Sequence, residues 1–476
     1  MINGAYANKK VTVMGLGLFG GGVGAARHFA ENGAAVTVTD KRSEADLKPS
    51  IDALKDLPIR YVLGKHFEDD FRSADILLVN PGVPMDNPLV AMARGAGAQI
   101  EFAMNLLFKL TPKNRKIGVT GSNGKSTTTA LLGEMVRVMD ERALVGGNIG
   151  KCLLGETRNL ASDVPIVLEL SSFMLEGMSE MAVSPHVAIV TNLSPNHLDR
   201  HGTMQAYADA KLNIIRHQEP GDCAVLNADD PALCGWESQT RARVIRFSVK
   251  EELDGNAAFL AGDKLVVRWE GVEEVIAYRR TLRLPGLHNV ANALAASAAA
   301  LAFGVQPWQM VEALSKFNGL PHRLEVVARN EKKVTYYNDS IATTPESAIC
   351  ALSSFDGPIT LIAGGSDKGS GFDELAVAIV RKVRRLILLG VTAPKIEAAV
   401  TRAMGQYSRG PMIYHARNLE HAALLASAET LPGEAVLLSP ACASFDMFRN
   451  FQERGELFRA LAMRFIERGT SVKSLG

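Results

Sequence analysis

Residues 118–129 read Gly-Val-Thr-Gly-Ser-Asn-Gly-Lys-Ser-Thr-Thr-Thr, and this stretch decides the fold. A β-branched run, Lys116–Thr120, feeds a glycine-rich turn that ends in Lys125-Ser126-Thr127 and opens an apolar, helix-forming segment. A strand–loop–helix of this kind aims backbone N–H groups at a polyphosphate and seats it on a helix N-terminus. The lysine then reaches the β- and γ-phosphates, and a hydroxyl ligates Mg²⁺. The commonest phosphate-loop pattern places a glycine five residues before Gly124, where this chain has Val119, so the short form Gly121-Ser122-Asn123-Gly124-Lys125-Ser126-Thr127 is a variant. The alternative is an ordinary glycine-rich turn, which the strand-to-helix context disfavours.

The rest of the chain sets the frame for this loop. A length of 476 residues exceeds what one core accommodates and suggests about three domains. With 47% hydrophobic and 22% charged residues the composition is that of a globular protein, and the net charge of +1 leaves no electrostatic footprint for nucleic acid or an anionic membrane. No apolar run approaches the ~20 residues that span a bilayer, and no signal core precedes the basic residues near the N-terminus. Cys152, Cys223, Cys234, Cys350 and Cys442 are scattered without metal-ligand spacing, which fits a reducing cytoplasm.

Three α/β units follow one another. In the first, a strand at Lys10–Met14 leads into Gly15-x-Gly17-x-x-Gly20, a helix reaches Glu31, and a second strand ends at Asp40. This matches the dinucleotide-binding fingerprint, although the same turn serves other nucleotides. The strand at 74–80 then runs into Pro81-Gly82-Val83-Pro84, at the sheet edge where open α/β sheets bind ligands. A polar segment, 110–115, reads as a linker. The second unit carries continuous apolar strands at 165–172, 186–193 and 223–230, the pattern of a parallel sheet covered on both faces. A more polar, β-rich insertion spans roughly 240–284, followed by a helix at Asn289–Phe303. The third unit begins near Gly319 and alternates strands with helices in another doubly wound sheet. The predicted class is therefore α/β: a Rossmann-like first domain (1–112), a central phosphate-loop domain with a small β-rich insertion (113–319), and a Rossmann-like C-terminal domain (320–476).

Polar clusters follow several predicted strands. Glu169 stands at a strand end in the loop's own unit, where a carboxylate holds Mg²⁺ directly or through water. Asn192–His201 packs two histidines, an aspartate and an arginine into ten residues, with His197 the candidate metal or substrate contact. Lys211 faces the same crevice if its helix packs back on the sheet, and is otherwise a snorkelling surface lysine. In the third unit, Asn338-Asp339-Ser340 with Thr343-Thr344, Gly364–Gly369 and Ser439–Asp446 each follow a strand and converge on one carboxyl edge.

Taken together, GSNGKST, GGNIG (146–150), ELSSFMLE (169–176), TNLSPNHLDRH (191–201), YADAK (207–211), GLHNVANALAA (286–296), GLPHR (319–323), YNDS (337–340), AGGSDKG (363–369) and SPACASFDMFRNFQERG (439–455) resemble, in kind and order, the motifs of the Mur ligases. The resemblance covers nearly the whole chain and is greatest to the branch that adds D-glutamate. It implies a cytoplasmic, monomeric, ATP-dependent acid–amino-acid ligase of peptidoglycan precursor synthesis, with UDP-binding, ATPase and amino-acid-binding domains. Its substrates would be UDP-N-acetylmuramoyl-L-alanine and D-glutamate, with no nucleic-acid or membrane partner.

By the same resemblance, the first glycine turn and Asp40 hold UDP rather than NAD, with Leu18, Phe19, Lys41, Arg42, Asn80, Pro81, Gly82, Asn148 and His197 at matching positions. Gly121, Ser122, Asn123, Gly124, Lys125, Ser126 and Thr127 take the ATP phosphates, and Asn289, Asn292, Arg323 and Asp339 take adenine, ribose and phosphate. Two Mg²⁺ ions are implied on Ser126, Thr127, Glu169, His197 and a carbamylated Lys211, with Lys125, His197 and Lys211 as the catalytic set. Carbamylation turns a cation into an oxygen ligand for a hard metal. Thr344, Lys368, Ser444 and Phe451 hold the amino acid, with Thr343 an adjacent candidate.

The chain departs from the family at Ile341, where a lysine is usual, and at Phe19, where a smaller polar residue is common. The alternatives are an L-glutamate-adding ligase of the same family and a folylpolyglutamate synthase-like ligase, which lacks the separate UDP fingerprint. An NAD-dependent oxidoreductase leaves the phosphate loop unexplained. A non-catalytic nucleotide sensor has no need of Lys125, Glu169, His197 and Lys211 together.

Overall fold

The computed structural model describes residues 6–18, 20–150, 152–367, 369–407 and 410–467. Among these residues the strands form three sheets. Contacts divide the chain into two compact units, one of residues 1–278 with 291–314 and the other of 279–290 with 315–476. The first unit holds two of the sheets. Its core runs on from one sheet to the other, from Val13 and Val38 to Leu168, Leu170 and Ile214.

The first sheet has strands β1 (Lys10–Met14), β2 (Ala35–Asp40), β3 (Arg60–Leu63), β4 (Ile76–Val79) and β5 (Gln99–Glu101). They run parallel in the order β3-β2-β1-β4-β5. The order reverses between β1 and β4, so their departing loops splay apart and leave a crevice at the carboxyl ends. The turn after β1, the end of β2 at Asp40 and the exit of β4 at Asn80 all open onto this edge.

The second sheet runs in chain order from β6 (Lys116–Thr120) through β7 (Leu144–Gly147), β8 (Ile166–Glu169), β9 (Val187–Val190), β10 (Cys223–Asn227) and β11 (Arg243–Ser248) to β12 (Ala257–Ala261), β13 (Lys264–Trp269) and β14 (Val272–Tyr278). Its spatial order is β14-β13-β12-β11-β10-β9-β6-β8-β7. Strand β6 lies between β8 and β9, parallel to both, and all its residues are buried. This explains why Ile117-Gly118-Val119 shows no apolar–polar alternation, because a strand covered on both faces has no solvent side to alternate with.

The predicted insertion at 240–284 does not stand apart. β11 and β12 continue the parallel ladder beyond β10, and β12, β13 and β14 then extend the sheet as antiparallel hairpins. The second hairpin turns at Glu270-Gly271, both with positive φ (50° and 85°), which suits the right-handed twist of the flanking strands.

The second unit contains β15 (Glu325–Arg329), β16 (Thr335–Asn338), β17 (Ile359–Ala363), β18 (Val383–Leu388), β19 (Met412–His415) and β20 (Ala435–Leu438). Their order is β15-β16-β20-β17-β18-β19, parallel except for the antiparallel edge strand β15. Separate apolar clusters cover the two faces, one around Leu361 and Leu386, the other around Ile362, Ile387 and Leu438. The expected strand at 165–172 stops at Glu169, because Ser171 begins the next helix by accepting from the Met174 N–H.

Leu168 is fully buried on β8, one residue before Glu169. Replacing Leu168 by alanine should destabilise the first unit by about 2–5 kcal/mol in denaturant unfolding, the usual cost of a leucine-sized cavity. A change under about 1 kcal/mol would show that β8 is not part of a packed core.

Candidate active site

The glycine-rich loop can approach its neighbours closely because two of its residues lack side chains. Gly121 (φ 145°) and Gly124 (φ 82°) have backbones that an L side chain rarely adopts, and an added Cβ would collide with Thr191 Oγ1 and Asn292 Oδ1 respectively. The exit of β9 then braces the loop. The Ser122 N–H donates to Asn192 O (2.9 Å), the Asn123 N–H to Asn192 Oδ1 (2.9 Å), and Thr191 Oγ1 to Asn123 O (2.6 Å). The helix Lys125–Met139 begins at Gly124 with no side-chain cap. Its first N–H groups and dipole therefore suit an anionic ligand.

Lys125 folds back over the loop, donating to the carbonyls of Gly121 and Ser122 at 2.9 Å each. Lys211 reaches the same place from the helix Met204–Arg216, giving a hydrogen to Gly121 O at 2.8 Å and to Thr120 Oγ1 at 3.4 Å. The Lys211 side chain is buried, so the snorkelling alternative fails. Burial pushes its amine down to about 6, with nearby Lys125 adding to the shift and Glu169 opposing it. The Tyr207 ring covers the amine at 4.7 Å, and its hydroxyl lies 3.1 Å from Ser122 Oγ.

Glu169 completes the floor. It is 1% exposed, and Asn148 Nδ2 donates to its Oε1 at 2.7 Å. Its Oε2 is buried with no hydrogen-bond partner among the described residues. A buried carboxylate oxygen without a donor is costly, and a bound cation is the group that would satisfy it. Among the described residues no three His, Cys, Asp or Glu side chains gather closely enough to form a metal site. A cation on Glu169 would therefore draw further oxygens from hydroxyls, phosphates or a modified lysine. Of the candidate hydroxyls, Thr127 is buried and Ser126 half-buried.

His197 is exposed, in the left-handed region (φ 53°), at the start of the short helix Leu198–His201. The Phe173 ring lies 5.1 Å from it and stacks on His201, whose Nε2 is 3.0 Å from Ser172 Oγ. The two histidines thus occupy different settings, one at the surface and one packed.

At the first sheet's edge Asp40 faces inward. Its Oδ2 accepts from the N–H groups of Leu16 (2.9 Å) and Gly17 (3.3 Å), and its Oδ1 from Arg42 N–H (2.9 Å). The carboxylate thereby shapes the glycine turn and the start of the Lys41-Arg42 segment. Asn80 ties the same turn from the other side, donating to Gly15 O at 3.2 Å and accepting from Gly82 N–H at 3.1 Å. Leu18 is 48% exposed, Lys41 is exposed, and Pro81 lies in the turn after β4. Phe19 lies outside the described residues.

In the second unit Asp339 follows β16 and is buried; its Oδ2 accepts from Ser439 Oγ at 2.7 Å and its Oδ1 from Leu324 N–H at 3.1 Å. Burial pushes its carboxyl up to about 7, against the opposing effects of Ser439, the Leu324 amide and Arg323. His322 and Leu324, on either side of Arg323, both have positive φ (64° and 44°), and Arg323 Nε is buried without a partner among the described residues. Thr344 caps the helix Pro345–Ser353, and Ser444 is buried. The carbonyl of Phe451 accepts from Ser340 Oγ at 2.8 Å. Ile341 is half-buried, and its N–H donates to His322 O at 3.1 Å. Lys368 lies outside the described residues. Asn289 Nδ2 donates to Pro285 O at 2.7 Å, while in the first unit Asn292 Oδ1 accepts from Thr128 Oγ1 at 3.3 Å.

Several residues lie within motifs already quoted but gain an individual role only here: Tyr207, Thr191, Asn192, Ser439 and the buried Arg454, whose guanidinium donates to Ser340 Oγ (2.9 Å), Ser340 O (2.8 Å) and Cys442 O (3.1 Å). Asn192 carries a usable signal, since a polar residue directly after a buried strand faces the carboxyl edge.

A phosphate loop on a central parallel strand, with an unsatisfied carboxylate at the end of the neighbouring strand, is the frame of a nucleoside-triphosphate-using enzyme. Three family models match in succession: a MurD-like N-terminal domain at residues 9–101, the Mur ligase middle domain at 119–300, and the Mur ligase glutamate ligase domain at 322–442. The chain is 46% identical over 468 residues to UDP-N-acetylmuramoylalanine–D-glutamate ligase of Roseiflexus sp. (strain RS-1), covering 96% of this chain and 99% of that one. It is 43% identical to the protein of the same name from Symbiobacterium thermophilum, covering 96% and 98%. The chain belongs to the Mur ligase family. The fold agrees with the solved structures of UDP-N-acetylmuramate-alanine ligase MurC from Thermotoga maritima (TM-score 0.56, 21% identity, 98% of this chain and 100% of that) and MurF from Acinetobacter baumannii (TM-score 0.58, 18% identity, 96% and 94%).

Replacing Lys125 by alanine should lower ATP turnover by about 10²–10³-fold or more, the usual cost of one charge-stabilising contact to a transferring group, while leaving the circular dichroism unchanged. Near-normal turnover would remove the loop from the chemistry.

Proposed function

We propose that this chain joins D-glutamate to UDP-N-acetylmuramoyl-L-alanine, at the expense of ATP and through an acyl phosphate, in peptidoglycan precursor synthesis. The observation that carries the reading is the near full-length match to relatives named for that reaction. No helix among the described residues is long and apolar enough to cross a membrane. A monomer in the cytoplasm is the form we expect to be active. We place the domain boundaries near residues 112 and 319.

In this reading a carboxylate oxygen of the nucleotide-sugar substrate attacks the γ-phosphorus of ATP, and ADP leaves. The amine of D-glutamate then attacks the carbonyl carbon of the acyl phosphate, and phosphate leaves from the tetrahedral adduct. The loop residues Gly121 to Thr127 cradle the polyphosphate. Lys125, which folds onto its own loop here, swings to the γ-phosphate and spreads its charge. Ser126, Thr127, Glu169 and His197 would hold Mg²⁺, which would supply charge neutralisation at the transferring phosphoryl. Asn289, Asn292, Arg323 and Asp339 serve adenine, ribose and phosphate. Leu18, Phe19, Asp40, Lys41, Arg42, Asn80, Pro81, Gly82 and Asn148 serve the nucleotide sugar, Asp40 by shaping the turn. Thr344, Lys368, Ser444 and Phe451 serve glutamate.

Two Mg²⁺ sites and a carbamate on Lys211 belong to this proposal. The buried Lys211 amine donates to Gly121 O and Thr120 Oγ1, and the unsatisfied oxygen of Glu169 supports a cation nearby. The neutral amine attacks CO₂ at carbon, one N–H proton leaves, and a carbamate anion results.

Two experiments test the reading. Lys211→Ala should be nearly inactive and partly restored by acetate, which replaces the lost oxygens; full activity without acetate would exclude the carbamate. Paired kinetics with D- and L-glutamate should give a kcat/KM at least 100-fold higher for D-glutamate, since inverting Cα displaces the amine and about 1 Å of displacement costs roughly that much. A higher value for L-glutamate would overturn the amino-acid assignment, leave the ligase chemistry standing, and direct attention to Ile341.

A further inference from the structure

The short helix Leu198–His201 carries a side chain that the chemistry above does not use. The Arg200 guanidinium donates to two carbonyls of the loop leaving β4, Val83 O at 2.9 Å and Gly82 O at 3.3 Å. It lies over the Phe173 ring at 5.0 Å and is 3.8 Å from Glu176 Oε2, so its side chain is only 18% exposed. All of these partners are in the first compact unit.

Both ends of this contact carry further hydrogen bonds. On the loop side, Val83 N–H donates to Asn80 O (2.8 Å) and Gly82 N–H to Asn80 Oδ1 (3.1 Å), which leaves the carbonyls of Gly82 and Val83 for the arginine. On the helix side, the N–H groups of Arg200 and His201 both donate to His197 O, at 3.1 and 3.0 Å. The backbone of Arg200 is thereby tied to that of His197.

We infer that Arg200 is a positioning residue that sets the spacing between the Asn80–Val83 loop and the His197 turn, so that one nucleotide-sugar substrate meets both. The inference rests on the reading that assigns both segments to that substrate. Arginine suits the task, because its planar fork serves two carbonyl acceptors while its face stacks on an aromatic ring. A lysine in its place keeps the charge and one donor direction but loses the fork.

The test compares wild type, Arg200→Lys and Arg200→Ala by steady-state kinetics and by calorimetric titration with UDP alone. The expected result is a rise of about tenfold or more in KM for UDP-N-acetylmuramoyl-L-alanine in Arg200→Ala, with a smaller rise in Arg200→Lys. KM for ATP should stay within about twofold. Weaker UDP binding should follow the same order. An unchanged KM for the nucleotide sugar, or a loss confined to kcat, would overturn the inference, because a merely structural role lowers the active fraction without a substrate-selective KM. If Arg200→Ala fails to fold, Arg200→Lys decides by the same split. If wild type does not turn over the nucleotide sugar, the functional reading falls, and UDP affinities equal in wild type and Arg200→Lys would separately overturn the role of Arg200.

Discussion

One carbonyl oxygen, that of Gly121, accepts hydrogens from two lysine amines, Lys125 at 2.9 Å and Lys211 at 2.8 Å. Burial, with Lys125 adding to it, disfavours a second cationic amine here and pushes the Lys211 amine down to about 6 against the opposing pull of Glu169. The pocket is thus built around an imbalance: a loop with uncapped helix N–H groups, two amines, and a carboxylate oxygen on Glu169 with no donor among the described residues. A polyphosphate with its divalent cation resolves all of these at once. In the proposed reading the anion would take the N–H groups and Lys125, and the cation would take Glu169.

The scaffold exists to hold that imbalance in place. Strand β6 is buried in the middle of its sheet, so the loop leaving it cannot drift, and Gly121 and Gly124 let it lie against Thr191 and Asn292. The helix carrying Lys211 and Tyr207 packs back on the same sheet, with Ile214 and Ile215 in the core. At the neighbouring sheet Asp40 and Asn80 spend their polar groups on the glycine turn, which fixes the turn's backbone toward a ligand.

Much of this was legible from residue order. The phosphate loop, the apolar strands of the first two sheets and the turns after β16, β17 and β20 could be read because buried parallel strands and glycine-rich turns have strong local signatures. The extent of the second sheet was less legible, since hairpins such as β12 to β14 look alike whether they stand alone or extend a ladder. Lys211 illustrates a deeper limit. Its spacing on a helix cannot say whether it faces water or the sheet, and only family resemblance pointed inward. At Asp40, the expected ligand contact, the structure adds a use of the acid that no spacing reveals: its carboxylate accepts from three backbone N–H groups. Tyr207 and Arg454 stand in quoted motifs, but their contacts with Ser122 and Ser340 join residues distant in sequence, which no local pattern announces.

The central claim is that the phosphate loop activates a substrate carboxylate rather than a water molecule. The most direct measurement is the isotopic composition of released phosphate when UDP-N-acetylmuramoyl-L-alanine, labelled with ¹⁸O in its alanyl carboxylate, is turned over with ATP and D-glutamate in unlabelled water. Attack by the carboxylate on the γ-phosphorus, followed by departure of phosphate from the acyl carbon, predicts one ¹⁸O atom in each phosphate released. Phosphate free of label, formed alongside the amide product, would contradict the account.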